Sequence, residues 1–73
     1  MADNVRIRLD DRFLRLPQVK GLTGRSKTQI YGDSTFPRPI KLGRRESAWI
    51  ESEVRAWMQE KVDSDRARRR GEA

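Results

Sequence analysis

With 73 residues, no cysteine and no histidine, the chain can build one small core and lacks disulfides, thiolate metal sites and the commonest proton shuttle. Lysine and arginine number 17 against 11 Asp and Glu, a net charge of +6 that favours a polyanionic partner through release of condensed counterions. Enzymatic activity, a metal centre and a bound cofactor are not expected. Nothing approaches a membrane span, and the start of the chain, with Asp3, Arg6 and Arg8, lacks the apolar centre of a signal peptide, so a cytoplasmic location is expected.

Residues 1–11 read as a flexible charged segment, although the alternation of Val5, Ile7 and Leu9 also suits a brief strand. A domain is expected over residues 12–62. Pro17 suits the first turn of a helix, where its missing N–H is unpaired in any case, and Leu16, Val19 and Leu22 give that helix an apolar stripe over about 17–22. Thr23-Gly24-Arg25 is a turn in which Gly24 is free to take the left-handed conformation. Ser26-Lys27-Thr28-Gln29 then has the form of a capping box, with the Ser26 hydroxyl accepting from the Gln29 amide and the Gln29 side chain reaching back to the Ser26 amide.

The second helix points Ile30 inward and ends early, because Gly32-Asp33-Ser34 disfavours a helix interior. Pro37 and Pro39 enforce extended backbone on their neighbours and cannot donate to a ladder, so a sheet can begin only near Ile40. Ile40-Lys41-Leu42, a turn at 43–46 and the return run Ala48-Trp49-Ile50 compose a hairpin. A last helix from Glu51 to about Val62 carries Val54, Trp57, Met58 and Val62 at helical spacing. Residues 63–73, with Arg66, Arg68, Arg69 and Arg70, are expected to form a basic disordered tail. The expected core is Phe13, Val19, Leu22, Ile30, Trp49, Val54 and Trp57, with Trp57 holding the last helix to the sheet. The fold class is α+β: a small winged helix-turn-helix of three helices and a β-hairpin wing.

The charge is segregated. From Arg12 to Arg45 the single acidic residue is Asp33, among Arg12, Arg15, Lys20, Arg25, Lys27, Arg38, Lys41, Arg44 and Arg45. Side chains at the start of a recognition helix face base edges, which makes Lys27 and Thr28 candidate readers, with Arg25 just before the helix and Tyr31 at its end. Ser26 and Gln29 are either contacts or caps; for Gln29 the two roles are equally open. Arg44 and Arg45 at the hairpin tip suit a narrow minor groove, whose negative potential attracts arginine, although a merely solubilising tip has the same composition. Arg38 and Lys41 are candidates for phosphate contact, positioning the domain without reading sequence. The tail arginines either add salt-dependent affinity or do nothing.

Several runs resemble the AlpA-type prophage regulators, small relatives of the excisionases with a MerR-like winged helix-turn-helix. They are Phe13-Leu14-Arg15-Leu16-Pro17-Gln18-Val19, Thr23-Gly24-Arg25-Ser26, Ile30-Tyr31, the run from Phe36 to Gly43, and Trp49-Ile50-Glu51-Ser52-Glu53-Val54-Arg55-Ala56-Trp57. The resemblance implies a phage- or prophage-borne protein that binds double-stranded DNA near the nucleoid, with the helix from Ser26 to Tyr31 in the major groove and the tip at Arg44 and Arg45 near the minor groove. Family members usually carry more residues between the tyrosine and the Phe-Pro pair, so here the recognition helix is clipped.

A sequence-specific transcriptional regulator is the leading expectation. An excisionase-like directionality factor that bends attachment-site DNA uses the same surface, and a small phage protein-interaction module is the rival from another class. Self-association on adjacent sites is expected of so small a contact surface, and integrase or RNA polymerase are candidate partners. The few aromatic residues are needed for the core, which leaves no stacking platform for RNA.

Overall fold

The computed structural model describes Ile7 and residues 9–72. The elements run β1 (Phe13–Leu14), α1 (Leu16–Thr23), α2 (Lys27–Gly32), β2 (Ile40–Lys41), β3 (Ser47–Ile50) and α3 (Glu51–Glu72). Three helices and a small antiparallel sheet of order β1-β3-β2 make an α+β winged helix-turn-helix. Val5 and Arg8 lie outside the described residues.

The central strand is β3, the return strand of the hairpin. It pairs with β2 through Ile40 opposite Ala48 and Lys41 opposite Ser47, and with β1 through Phe13 opposite Ile50 and Leu14 opposite Trp49. The pairing of β1 is not expected from the sequence, because two residues carry no visible period and their partner lies far along the chain. Alternation of side chains in a strand puts Leu14 on the core face with Trp49 and sends Phe13 to the other. Phe13 is accordingly exposed, against the expectation that it is core, while Leu14 is buried.

The core gathers Leu14, Val19, Ile30, Phe36, Trp49, Val54 and Trp57, with Leu16, Leu22 and Met58 packed against it. Leu22 is half-buried and thus a border residue. Ala48 and Ile50 are also buried, which leaves the whole of β3 after Ser47 out of solvent. Trp57 shares the core with Leu14 and Trp49 of the sheet and has a second anchor as well. Its ring meets Phe36 edge-on at 4.8 Å and its indole N–H donates to the Thr35 hydroxyl at 3.2 Å, so it ties α3 to the segment that follows α2.

The first residues of α3 are fastened from a distance. The Asp11 carboxylate accepts from the Ser52 amide at 3.0 Å and from the Ser52 hydroxyl at 2.7 Å, acting as an N-terminal cap supplied by residues before β1. Arg12 adds a side-chain bond to Glu51 at 2.8 Å, while its carbonyl accepts from the Glu51 amide. Asp11 therefore works as part of the fold, although its sequence position places it in the N-terminal segment.

At its far end α3 departs from expectation. The helix continues past Val62 to Glu72, so residues 63–72, read as part of a disordered tail, are helical. Local terms account for this: Gln59 donates to Asp63, Asp65 pairs with Arg68 at 3.0 Å and with Arg69 at 2.8 Å, and Arg69 and Arg70 complement the dipole in the last turn. Among the described residues none beyond Met58 belongs to the core cluster; Lys61 stands over the Trp57 ring, 5.4 Å from its centre, and the residues after it form an arm.

Candidate nucleic-acid interface

A short helix needs outside support, since six residues cannot repay the entropy of nucleation. For α2 that support comes from both ends and from beneath. The Ser26 hydroxyl accepts from the Gln29 amide at 3.2 Å, and the Gln29 side chain accepts from the Ser26 amide at 2.9 Å, a complete capping box. Ile30 is buried in the core. At the end, Asp33 accepts from the Thr35 hydroxyl at 2.6 Å, from the Thr35 amide at 2.8 Å and from Arg25 at 2.7 Å. These bonds, those from Thr35 foremost and then Arg25, hold the Asp33 carboxyl far below the usual carboxylate range.

The Arg25–Asp33 pair spans the helix from its preceding turn to its following one. Arg25 also lies 5.2 Å from the centre of the Trp57 ring, so a single guanidinium links the turn, the end of α2 and α3. The preceding turn has the predicted geometry: Gly24 is left-handed at φ 73° and its amide donates to the Lys20 carbonyl at 2.8 Å.

The hairpin is joined to α2 through Trp49. Its ring stands edge-on to Tyr31 at 5.7 Å, and its indole N–H donates to the Pro37 carbonyl at 3.1 Å. Tyr31, Arg38, Pro39 and Trp49 line one cleft of ≈ 130 Å³. The end of α2 and the entry to β2 therefore share a wall. The tip itself is closed by the Leu42 amide donating to the Glu46 carbonyl at 2.9 Å.

The expected site residues separate into two groups on this frame. Lys27, Thr28, Tyr31, Arg38, Lys41, Arg44 and Arg45 are exposed, Tyr31 with its face resting near Trp49. Ser26 and Gln29 are exposed but spend their cap-forming groups on each other, and Arg25 is partly buried in its ion pair. The sequence reading missed Asp33 and Thr35 as organisers of this surface. The signal was present: a lone carboxylate in a stretch of nine cations is placed to pair with one of them.

Residues 12–62 match the family model of the prophage CP4-57 regulatory protein (AlpA). The chain belongs to the AlpA family. Among AlpA relatives, the DNA-binding transcriptional activator AlpA of Escherichia coli (strain K12) is 36% identical over 59 residues, 68% of this chain and 84% of its own length. An uncharacterized protein, ORF88, of Enterobacteria phage P4 is 45% identical over 51 residues, 66% of this chain. The matched region is 58% of the length of that phage relative. No solved structure matches the chain. The AlpA match ends at residue 62, so the outer half of α3 lies outside the family model. Among the described residues, no helix is long and apolar enough to cross a membrane.

Proposed function

We propose that the chain is a double-stranded DNA-binding transcriptional regulator of phage or prophage type that lays α2 in the major groove and the hairpin tip at the neighbouring minor groove. The observation that carries this reading is the coupling of two exposed cationic elements through one residue: Trp49 contacts Tyr31 at the end of α2 and forms part of the strand that returns from Arg44 and Arg45. AlpA family membership, and a relative named as a DNA-binding transcriptional activator, favour the same conclusion.

In this reading Lys27 and Thr28 meet base edges, Tyr31 flanks them, Arg38 and Lys41 contact phosphate, and Arg44 and Arg45 enter the minor groove. Arg25, Ser26 and Gln29 fix the position of the helix. Because α2 is only six residues long, few side chains reach bases, and discrimination leans on the wing and on DNA shape. The chain is expected to work in the cytoplasm.

The test is a gel-shift series in rising salt on DNA surrounding the chain's own gene. With about four to six phosphate contacts, log affinity should fall against log salt with a slope of about −4 to −5. Absence of binding to any duplex at low salt would remove the reading.

A further inference from the structure

The DNA-binding surface assembled from α2 and the hairpin leaves the arm of α3 without a role. From residue 61 to residue 71 the chain carries Lys61, Arg66, Arg68, Arg69 and Arg70 against Asp63 and Asp65. Such a run, merely solvated, keeps a chain soluble and does nothing more. Its placement in the fold gives it a direction.

Two cations stand at one indole. Arg25, the residue before the Ser26 cap of α2, is 5.2 Å from the centre of the Trp57 ring, and Lys61 is 5.4 Å from it. The root of the arm therefore passes beside the start of α2, on the side of α3 that carries Trp57. The helical repeat continues that side through Lys61 to Arg68, about one and about three turns beyond Trp57, whereas Arg66 and Arg70 fall on the opposite side. Lys61 and Arg68 are both exposed. Lys61 has no ion pair among the described residues. Arg68 is paired with Asp65 at 3.0 Å, an exposed contact of the kind that contributes little and is readily exchanged for phosphate.

Between these two cations the same side of the helix carries Ser64 and Asp65, and beyond Trp57 it has no apolar residue. It lacks the buried anchor that a protein interface needs, and no aromatic residue follows Trp57 to stack on an unpaired base. Charge without either feature suits the phosphate backbone of a duplex.

We propose that Lys61 and Arg68 bind phosphates beside the start of α2, which makes the arm a third DNA contact that adds affinity without reading sequence. This inference rests on the DNA-binding reading above and carries the contact surface past residue 62, where the family match ends.

The experiment titrates duplex in rising salt with the full chain and with double variants first checked for parental helical circular dichroism and melting. Lys61→Gln with Arg68→Gln removes the proposed contacts. Arg66→Gln with Arg70→Gln removes the same charge from the other side of the helix, and Lys61→Arg with Arg68→Lys keeps the charge in place. For the first pair the expected salt slope is shallower by about 2, with preference between cognate and altered sites unchanged. The second pair shifts the slope less, and the third keeps the parental slope. Should Lys61→Gln lower the melting temperature, Arg68→Gln alone, remote from the core, should make the slope shallower by about 1. The inference is overturned if the first pair keeps the parental slope, or if both glutamine pairs shift it equally, which makes the arm a diffuse field. Altered site preference in the first pair also overturns it, by placing the arm on bases. A parent that binds no duplex at low salt removes the DNA reading and this contact with it, whereas a parent that binds and is matched by the first pair removes the contact alone.

Discussion

The helix α2 and the hairpin tip present similar charges but are held in opposite ways. A capping box, a buried isoleucine and the Arg25–Asp33 pair fix α2 along its whole length. At the tip, Leu42, Gly43, Arg44, Arg45 and Glu46 are all exposed, and a single backbone bond from Leu42 to Glu46 closes the loop. The contrast fits the proposed reading, in which the fixed α2 meets base edges and the less tightly held tip follows a groove whose width varies with sequence. It also means that substitutions in the two regions must be read differently. A change beneath α2 is expected to alter the fold along with any binding, while a change at the exposed tip should leave the fold in place and so test contact.

The largest expected effect is on the support of α2. Trp57→Ala removes the ring that meets Phe36, the bond to Thr35 and the platform under Arg25, and should cost about 3–5 kcal/mol in denaturant unfolding. For so small a domain that is a large share of total stability. Loss of DNA binding in this variant should therefore coincide with loss of helical circular dichroism; a folded variant that cannot bind would mean that Trp57 touches the ligand.

On the exposed side of the same helix, Thr28→Ala should leave the melting curve unchanged and reduce discrimination between cognate and altered sites by about 1–3 kcal/mol. Competition binding with single-base variants of the site reads this directly. Uniform weakening across all sites would assign Thr28 to phosphate.

A smaller change is expected from Ser26→Ala, which removes one partner of the capping box and should destabilise by about 1 kcal/mol. Equilibrium unfolding measures it. A larger loss of affinity than of stability would show that Ser26 also contacts DNA.

The last effect is read in acid, where the charge state of Asp33 gives stability a definite direction with pH. Its folded carboxyl sits below the unfolded value of about 3.9, so the unfolded chain binds the extra proton and stability rises with pH through that range. Its contribution is complete above the unfolded value and is lost as pH falls through it toward the lowered one. Glu51, lowered by Arg12 and then Arg55, acts in the same sense. Thermal melts from pH 7 to pH 2 should show a shallower acid decline in Asp33→Asn than in the parent. Equal declines would assign the acid sensitivity to other carboxylates.

Local signals made α2 legible in the sequence. Its capping box involves residues three apart, and Gly24, Pro37 and Pro39 act through their own backbone preferences, so the turn, the helix start and the beginning of the hairpin fall where expected. Contacts at long range were not legible. Leu14 pairs opposite Trp49 and so joins the core, Asp11 caps α3 because the chain before β1 lies beside Ser52, and Phe36 is buried with Trp57 edge-on against it. The outer part of α3 was misread for a different reason. It lacks the apolar stripe that marks a packed helix, and its helicity is supported by side-chain pairs three and four residues apart.

The same pattern holds for the candidate site. Residue type and position single out Lys27, Thr28, Arg44 and Arg45, all of which are exposed. They do not reveal that Arg25 is drawn into an ion pair, since that depends on where Asp33 is placed by the early end of α2.

The most direct test of the central claim is the affinity and salt dependence of Arg44→Ala combined with Arg45→Ala, on a protein whose melting curve matches the parent. Gripping by both elements predicts weaker binding and a salt slope shallower by about 1–2, while preference among sites differing at the bases under α2 is retained. Parental affinity with an unchanged slope would show that the hairpin tip does not engage DNA.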